Sequence, residues 1–291
     1  SHSKPLKQSQ MIIVKEARLL RGLIAQARTT HTLIGFVPTM GALHQGHLAL
    51  VATCKQQSQL TVCSIFVNPT QFNNASDFQK YPNTLEKDIT LLEAAGVDIL
   101  FLPPVAEIYP QGMEGLEHYD LGYLETVLEG QYRPGHFQGV CQVMKRLLDL
   151  VQPHQLFMGL KDYQQCMVVK RLLEHMQSTT QFIACPTMRE PDGLAMSSRN
   201  LRLSPQDRQK APAIYQTLLY IKEQLRPGNL EALKQQARER LVAAGFSVDY
   251  VEIAHAETLE LLSSWDGARP LVALVAAWLG DVRLIDNALA H

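Results

Sequence analysis

Two histidines stand three residues apart in the stretch "GFVPTMGALHQGHLALV" (35–51): His44 and His47, with Gly41 ahead of them and Gly46 between them. An apolar run stops just upstream at Pro38, and a helix-like apolar pattern starts just downstream. Where a strand hands over to a helix, backbone N–H groups are free and the helix dipole favours an anion. Glycine lets the backbone approach a ligand closely, and imidazole N–H groups can donate to phosphate oxygens as charge develops. The stretch therefore reads as a nucleotide phosphate site. It belongs to neither common glycine-rich type, because G-x-x-x-x-G-K-[ST] and G-x-G-x-x-G are both absent. No third ligand accompanies the pair, so no protein metal site is expected. The competing view is a glycine-rich turn with one buried and one solvated histidine.

Three further stretches carry matching chemistry. "GLKDYQQ" (159–165) offers Lys161, a point charge suited to phosphate, and Asp162, an acceptor pair suited to ribose hydroxyls. "NPTQF" (68–72) supplies the amides of Asn68 and Gln71, which can satisfy hydroxyls and a carboxylate without adding charge. "AMSSRN" (195–200) gives Ser197, Ser198 and Arg199, which suit the β- and γ-phosphates of a leaving pyrophosphate. Each has a plainer reading: a solvated helix start, an Asn-Pro turn, and an N-cap ahead of a solvated arginine.

The elements that must position these groups follow from periodicity. Strands are expected over 32–38, 59–67, 97–103, 155–160 and 180–187, and helices over 47–57, 83–96, 137–151 and 162–176. This alternation predicts an α/β fold, a Rossmann-like parallel sheet flanked by helices, spanning 11–188. After the turn-rich "REPDGLAMSSRN" the pattern changes to helices over 204–225 and 230–245 and strand-like stretches over 246–256 and 270–290. A smaller C-terminal α+β domain, 189–291, is expected there as a lid. Parallel sheets bind ligands at the carboxyl ends of their strands, which places "PTMGALHQGH", "NPTQF" and "GLKDYQQ" on one rim.

Composition bounds the partners. A net charge of -1 argues against bulk attraction to nucleic acid or to an anionic membrane. No apolar run reaches the ~20 residues of a membrane span. The five cysteines form no C-x-x-C and read as reduced thiols of a cytoplasmic protein. The polar start "SHSKPLKQSQ" lacks an apolar signal core; Met11 reads as a natural start, with the ten residues before it a loose arm or an added leader.

H-x-G-H after the first strand resembles the nucleotidyl-transferring α/β superfamily that includes class I aminoacyl-tRNA synthetases. The longer string "PTMGALHQGHLALV", followed in order by "SIFVNPTQF", "GLKDYQQ" and "DGLAMSSRN", resembles the pantothenate synthetase family over roughly residues 11–290. The resemblance implies an ATP-dependent ligase that joins (R)-pantoate to β-alanine through a pantoyl adenylate and releases AMP and pyrophosphate. It implies His47, His44 and Lys161 as catalytic residues. ATP contacts would come from Met40, Gly41, His44, His47, Gly159, Lys161, Asp162, Met188, Met196, Ser197, Ser198 and Arg199. Gln71 and Gln165 would hold pantoate, and Gln71, Asn68, Tyr81 and Arg133 ("YRPGHFQGV") would serve β-alanine. Mg²⁺ would be held mainly by the ATP phosphates, and the protein would be a homodimer. Alternatives are another H-x-G-H nucleotidyltransferase, such as a cytidylyl- or adenylyltransferase, and a non-catalytic nucleotide-sensing module.

Overall fold

The computed structural model describes residues 10–291; the expectation for the leading segment therefore lies, Gln10 aside, outside the described residues. Strands β1 (Ile12–Val14), β2 (Ile34–Thr39), β3 (Leu60–Ile65), β4 (Ile99–Phe101), β5 (Gln155–Gly159) and β6 (Gln181–Cys185) form a six-stranded sheet in the order β1-β4-β3-β2-β5-β6. Every pairing in it is parallel. The three-residue β1 falls below what periodicity can detect, and it caps the β4 edge.

Around the sheet run α1 (Ala17–Thr29), α2 (Gln45–Gln57), α3 (Ala75–Gln79), α4 (Leu85–Ala94), α5 (Val105–Ile108), α6 (Glu129–Tyr132), α7 (His136–Val151) and α8 (Tyr163–His175). Successive strand residues alternate between two cores, as the period of two requires. Phe36, Val62, Phe101 and Leu156 pack with Leu20 and Ile24 of α1, Leu147 of α7 and Val169 of α8. Val37, Cys63, Leu100 and Phe157 pack with Val51 and Cys54 of α2 and Leu92 of α4. Both faces are buried, which is why the strands read as continuous apolar runs.

The C-terminal part is a three-stranded antiparallel sheet of β8 (Ser247–His255), β10 (Leu271–Leu279) and β11 (Val282–Leu289), with α9 (Pro205–Lys210), α10 (Ala213–Gln224) and α11 (Glu231–Ala243). Two short strands, β7 (Gly228–Asn229) and β9 (Ser264–Trp265), pair beside it. The single helix expected over 204–225 is two, because Pro212 interrupts it. The strand-like stretch 270–290 is a hairpin whose two-residue loop, Gly280–Asp281, turns at Gly280 with φ +58°. One face of this sheet packs on α10 and α11. The other, through Tyr250, Ala254, Val272 and Leu274, packs on Leu128 and the partly buried Tyr163 and Met167. All five cysteines are buried free thiols, and no helix among the described residues is long and apolar enough to cross a membrane.

Candidate active site

The site opens where the sheet order reverses direction, between β2 and β5. These strands pair only at Gly35↔Gln155 and Phe36↔Leu156. Beyond that they part, and Pro38, which has no N–H for a ladder, lines the opening. The same cavity is lined by Met40, His44 and His47, by Asn68, Gln71, Tyr81 and Arg133, by Gly159, Lys161, Asp162 and Gln165, and by Met188 and Met196 to Arg199. It thus gathers every residue expected at the site except Gly41. That glycine lies behind the wall, where its φ of +80° makes the turn out of β2.

The histidine spacing has a local cause. His44 is the N-cap of α2 and His47 its third residue, and the two close a reciprocal capping box. The Gly46 N–H donates to His44 Nδ1 at 3.0 Å, and the His44 N–H donates to His47 Nδ1 at 3.1 Å. A side chain at position 46 would meet the His44 ring at 2.7 Å, which explains the glycine between the histidines. Gly35 fixes the other end of the geometry, since a Cβ there would lie 2.4 Å from Cys54 Sγ of α2.

Backbone N–H groups can only donate, so Nδ1 of each ring accepts and the ring proton sits on Nε2. Burial holds His44 down to about 4, with Lys161 adding to the shift and Asp162 opposing it. Burial, His44 and Lys161 hold His47 down to about 3. Both imidazoles are therefore neutral near pH 7 and offer one Nε2–H donor each.

The turn before them differs from expectation in one respect. Its N–H groups are not free for an anion. Gly41 N donates to Thr39 Oγ1 at 3.2 Å, and Ala42 N and Leu43 N donate to the two carboxylate oxygens of Asp88 at 2.9 and 3.0 Å. Thr84 Oγ1 donates to the same carboxylate. Asp88 is fully buried and pins Ala42, itself at φ +49°. In the sequence it passed as an ordinary first-turn acid of α4. The helix N-terminus thus meets the cavity through two imidazole donors rather than through bare backbone.

Across the cavity, Lys161 lies 3.9 Å from Asp162 at the entrance to α8. The turn after β3 is stapled to the first turns of α7. A Cβ on Gly139 would lie 2.4 Å from the Gln71 backbone, so the two segments touch. Asn68 is spent on this junction: Nδ2 donates to Gln71 Oε1 and to Gly139 O, while Oδ1 accepts from Thr70 and from Tyr109. Its amide builds the site rather than facing a ligand. Gln71 keeps its Nε2 for the cavity, with only a 3.5 Å contact to Met40 Sδ.

Segment 186–202, which contains the turn-rich stretch at the start of the expected lid, is tied down at both ends. Its hairpin closes through the Arg189↔Ala195 bridge, and Arg189 pairs with Asp286 and stacks on Tyr215. Gly193 is wedged against that tyrosine ring, where a Cβ would lie 2.4 Å from Tyr215 Cδ1. Ser198 Oγ donates to Ala42 O, and Arg199 and Arg202 both pair with Asp77 of α3 at 2.8 and 2.9 Å. Neither Asp77 nor His136, which also lines the cavity, stood out in the sequence.

Comparison with known proteins agrees with this geometry. The family model described as pantoate-beta-alanine ligase matches residues 12–289. A "Pantothenate synthetase" of Pseudomonas fluorescens is 47% identical over 279 residues, covering 95% of this chain and 97% of that protein. The crystal structure of pantothenate synthetase from Thermus thermophilus superposes with a TM-score of 0.89 at 42% identity, covering 97% of this chain and all of that one. The pantoate-beta-alanine ligase of Francisella tularensis, solved complexed with "Beta-gamma ATP and Beta-alanine", superposes with a TM-score of 0.82 at 38% identity, covering 96% of this chain and 98% of that one. With residues 12–289 matched by the family model and nearly its whole length covered by a relative 47% identical, the chain belongs to the pantoate–β-alanine ligase family, the pantothenate synthetases.

Proposed function

We propose that this protein condenses (R)-pantoate with β-alanine at the expense of ATP, through a pantoyl adenylate, releasing AMP and pyrophosphate. The observation that carries the reading is convergence. Two neutral imidazole donors, a lysine, the amides of Gln71 and Gln165 and the half-buried Arg133 and Arg199 line one cavity at the strand ends of a parallel sheet. The Francisella relative, with ATP and β-alanine named as its ligands, supports the same pair of substrates.

The chemistry follows from charge. Pantoate's carboxylate needs no base at neutral pH; it attacks the α-phosphorus, the bond to the bridging oxygen breaks, and pyrophosphate leaves with the electron pair. His44 and His47 donate from Nε2 to the phosphate oxygens, and Lys161 adds a positive charge, as charge builds on the leaving group. Gly159 and Asp162 hold the nucleoside side, the backbone at Met188 meets adenine, and Met40 and Met196 add further ATP contacts. The imidazole, ammonium and guanidinium groups here suit phosphate oxygens better than a cation, so Mg²⁺ would be held mainly by the ATP phosphates, where it would neutralise part of their charge. In the second half, β-alanine's unprotonated amine attacks the acyl carbon, the bond from that carbon to the phosphate oxygen breaks, AMP leaves with the electron pair, and the amine's proton is lost to solvent. Gln71 and Gln165 hold pantoate.

Arg133 suits β-alanine's carboxylate. Its side chain is mostly buried, and Glu129, at 3.8 Å, is already engaged by Arg283 and Tyr250. Tyr81, whose ring lies 5.8 Å from the Arg199 guanidinium, lines the same cavity. Ser197, Ser198 and Arg199 address the departing pyrophosphate, which requires Arg199 to leave Asp77. The division into domains near residue 190, a homodimer and a cytoplasmic location belong to the same proposal; light scattering at micromolar concentration tests the dimer, and a monomer mass counts against it. The decisive assay is pyrophosphate exchange into ATP with a panel of small acids. Exchange that depends on pantoate supports the reading, and exchange that ignores pantoate points to another nucleotidyltransferase.

A further inference from the structure

His136 opens α7 and is 3% exposed, yet it lines the same cavity. Its ring touches two groups. Nδ1 lies 2.8 Å from the carbonyl oxygen of Gln71, and Nε2 lies 3.4 Å from Nη1 of Arg133. A carbonyl only accepts and a guanidinium only donates. The proton is therefore on Nδ1, and Nε2 carries the lone pair that faces Arg133. This is the opposite tautomer to that of His44 and His47. Burial, with Arg133 adding to it, keeps the ring neutral, held down to about 3.

Both partners need such a strut. Gln71 ends a three-residue 3₁₀ turn that has little hydrogen bonding of its own. Arg133 sits among cations, and burial and neighbouring Arg199 pull its pKa below the ordinary arginine value. Glu129, its nearest acid, accepts from Arg283 at 2.8 Å and from Tyr250 at 2.8 Å. The neutral acceptor on His136 orients the guanidinium without cancelling its charge, so that charge stays available to a ligand carboxylate.

We propose that His136 is a positioning residue that sets Gln71 and Arg133 in register, and so fixes the distance between the acyl group and the carboxylate of the incoming amino acid. It rests on the roles of Gln71 and Arg133 proposed above.

Asparagine separates the two contacts. In His136→Asn, Nδ2 replaces Nδ1 and still donates to Gln71, but nothing replaces Nε2. The KM for β-alanine should rise ~10-fold, the scale of losing a hydrogen bond to a charged group. The KM for pantoate in pyrophosphate exchange should stay within about twofold, because the retained donor still holds Gln71. His136→Phe should raise both. In an Arg133→Ala background, His136→Asn should add less than about twofold to the β-alanine KM, since coupled residues are non-additive. Equal rises for both substrates in His136→Asn, or an additive double variant, overturn the proposal. If the unaltered protein shows no pantoate-dependent exchange, the functional reading itself is wrong. The strut is read separately by ¹⁵N shifts of the His136 ring, expected to report a protonated Nδ1 and a bare Nε2; the reverse tautomer removes the basis for it.

Discussion

The two regions of the cavity that we propose to face phosphate are built in opposite ways. The His44–His47 cap is closed by bonds between residues two and three apart. The Ser197–Arg202 segment is held by partners far along the chain: Ala42 for Ser198, and Asp77 for Arg199 and Arg202. The cap forms as soon as α2 does and is ready before any ligand arrives. The segment's arginines are occupied by the carboxylate of Asp77, which a polyphosphate would have to displace under the proposed function. One region is preorganised, and the other would exchange an internal anion for an external one.

The sharpest test of that contrast is His47→Ala, which should slow adenylation by ~100-fold or more, the effect of losing one donor aimed at developing charge. Its stability cost should be about 1 kcal/mol, that of a lost helix cap. A large stability loss with modest loss of rate would make the histidine a structural residue.

Arg199→Ala should cost less, about 2 kcal/mol at the low end for such donors, because the arginine must first leave Asp77. The loss should fall on formation of pantoyl adenylate in single turnover and spare the reaction of pre-formed adenylate with β-alanine. Equal slowing of both halves would break the assignment to pyrophosphate.

Asp77→Asn should loosen the segment without touching the cap. Trypsin should cut after Arg199 or Arg202 ~10-fold faster in the nucleotide-free variant, the scale of losing a charged hydrogen-bonded pair. ATP should largely restore protection. If cleavage is unchanged, Asp77 does not hold the segment.

The smallest expected effect is on pH. His44 and His47 sit at about 4 and 3, below the free value near 6.5, so the unfolded chain binds more protons in between. Their contribution is complete above pH ~6.5 and is lost as pH falls toward 4 and then 3. Between pH 7 and pH 5, each should cost about 1 kcal/mol of unfolding free energy. The double variant His44→Gln, His47→Gln should flatten that slope in urea unfolding. An unchanged slope would mean that neither ring is held neutral.

Asp88 and His136 mark where reading from sequence stops. Asp88 looks like any acid in a helix's first turn, and its partners Ala42 and Leu43 are 46 and 45 residues away. His136 sits in a quoted string, "YRPGHFQGV", but nothing along the chain says that its ring bridges Gln71 and Arg133. Asn68 misleads in the other direction: an amide free to bind on paper is consumed by four bonds, two within its own turn, one to Tyr109 and one to Gly139 of α7.

The order of residues along the chain was enough for the parallel α/β sheet and the rim on which the motifs meet, and the spacing of the two histidines permitted the cap that the structure shows. All of these rest on periods of two and 3.6 or on contacts within one helical turn. Which donors are free to act was settled only by the packed fold. Asp88 takes the backbone N–H groups of the turn, Asp77 takes Arg199, and Arg283 draws Glu129 away from Arg133. Hydrogen-bond capacity is finite, and whether a group has any left depends on neighbours that folding supplies from elsewhere in the chain.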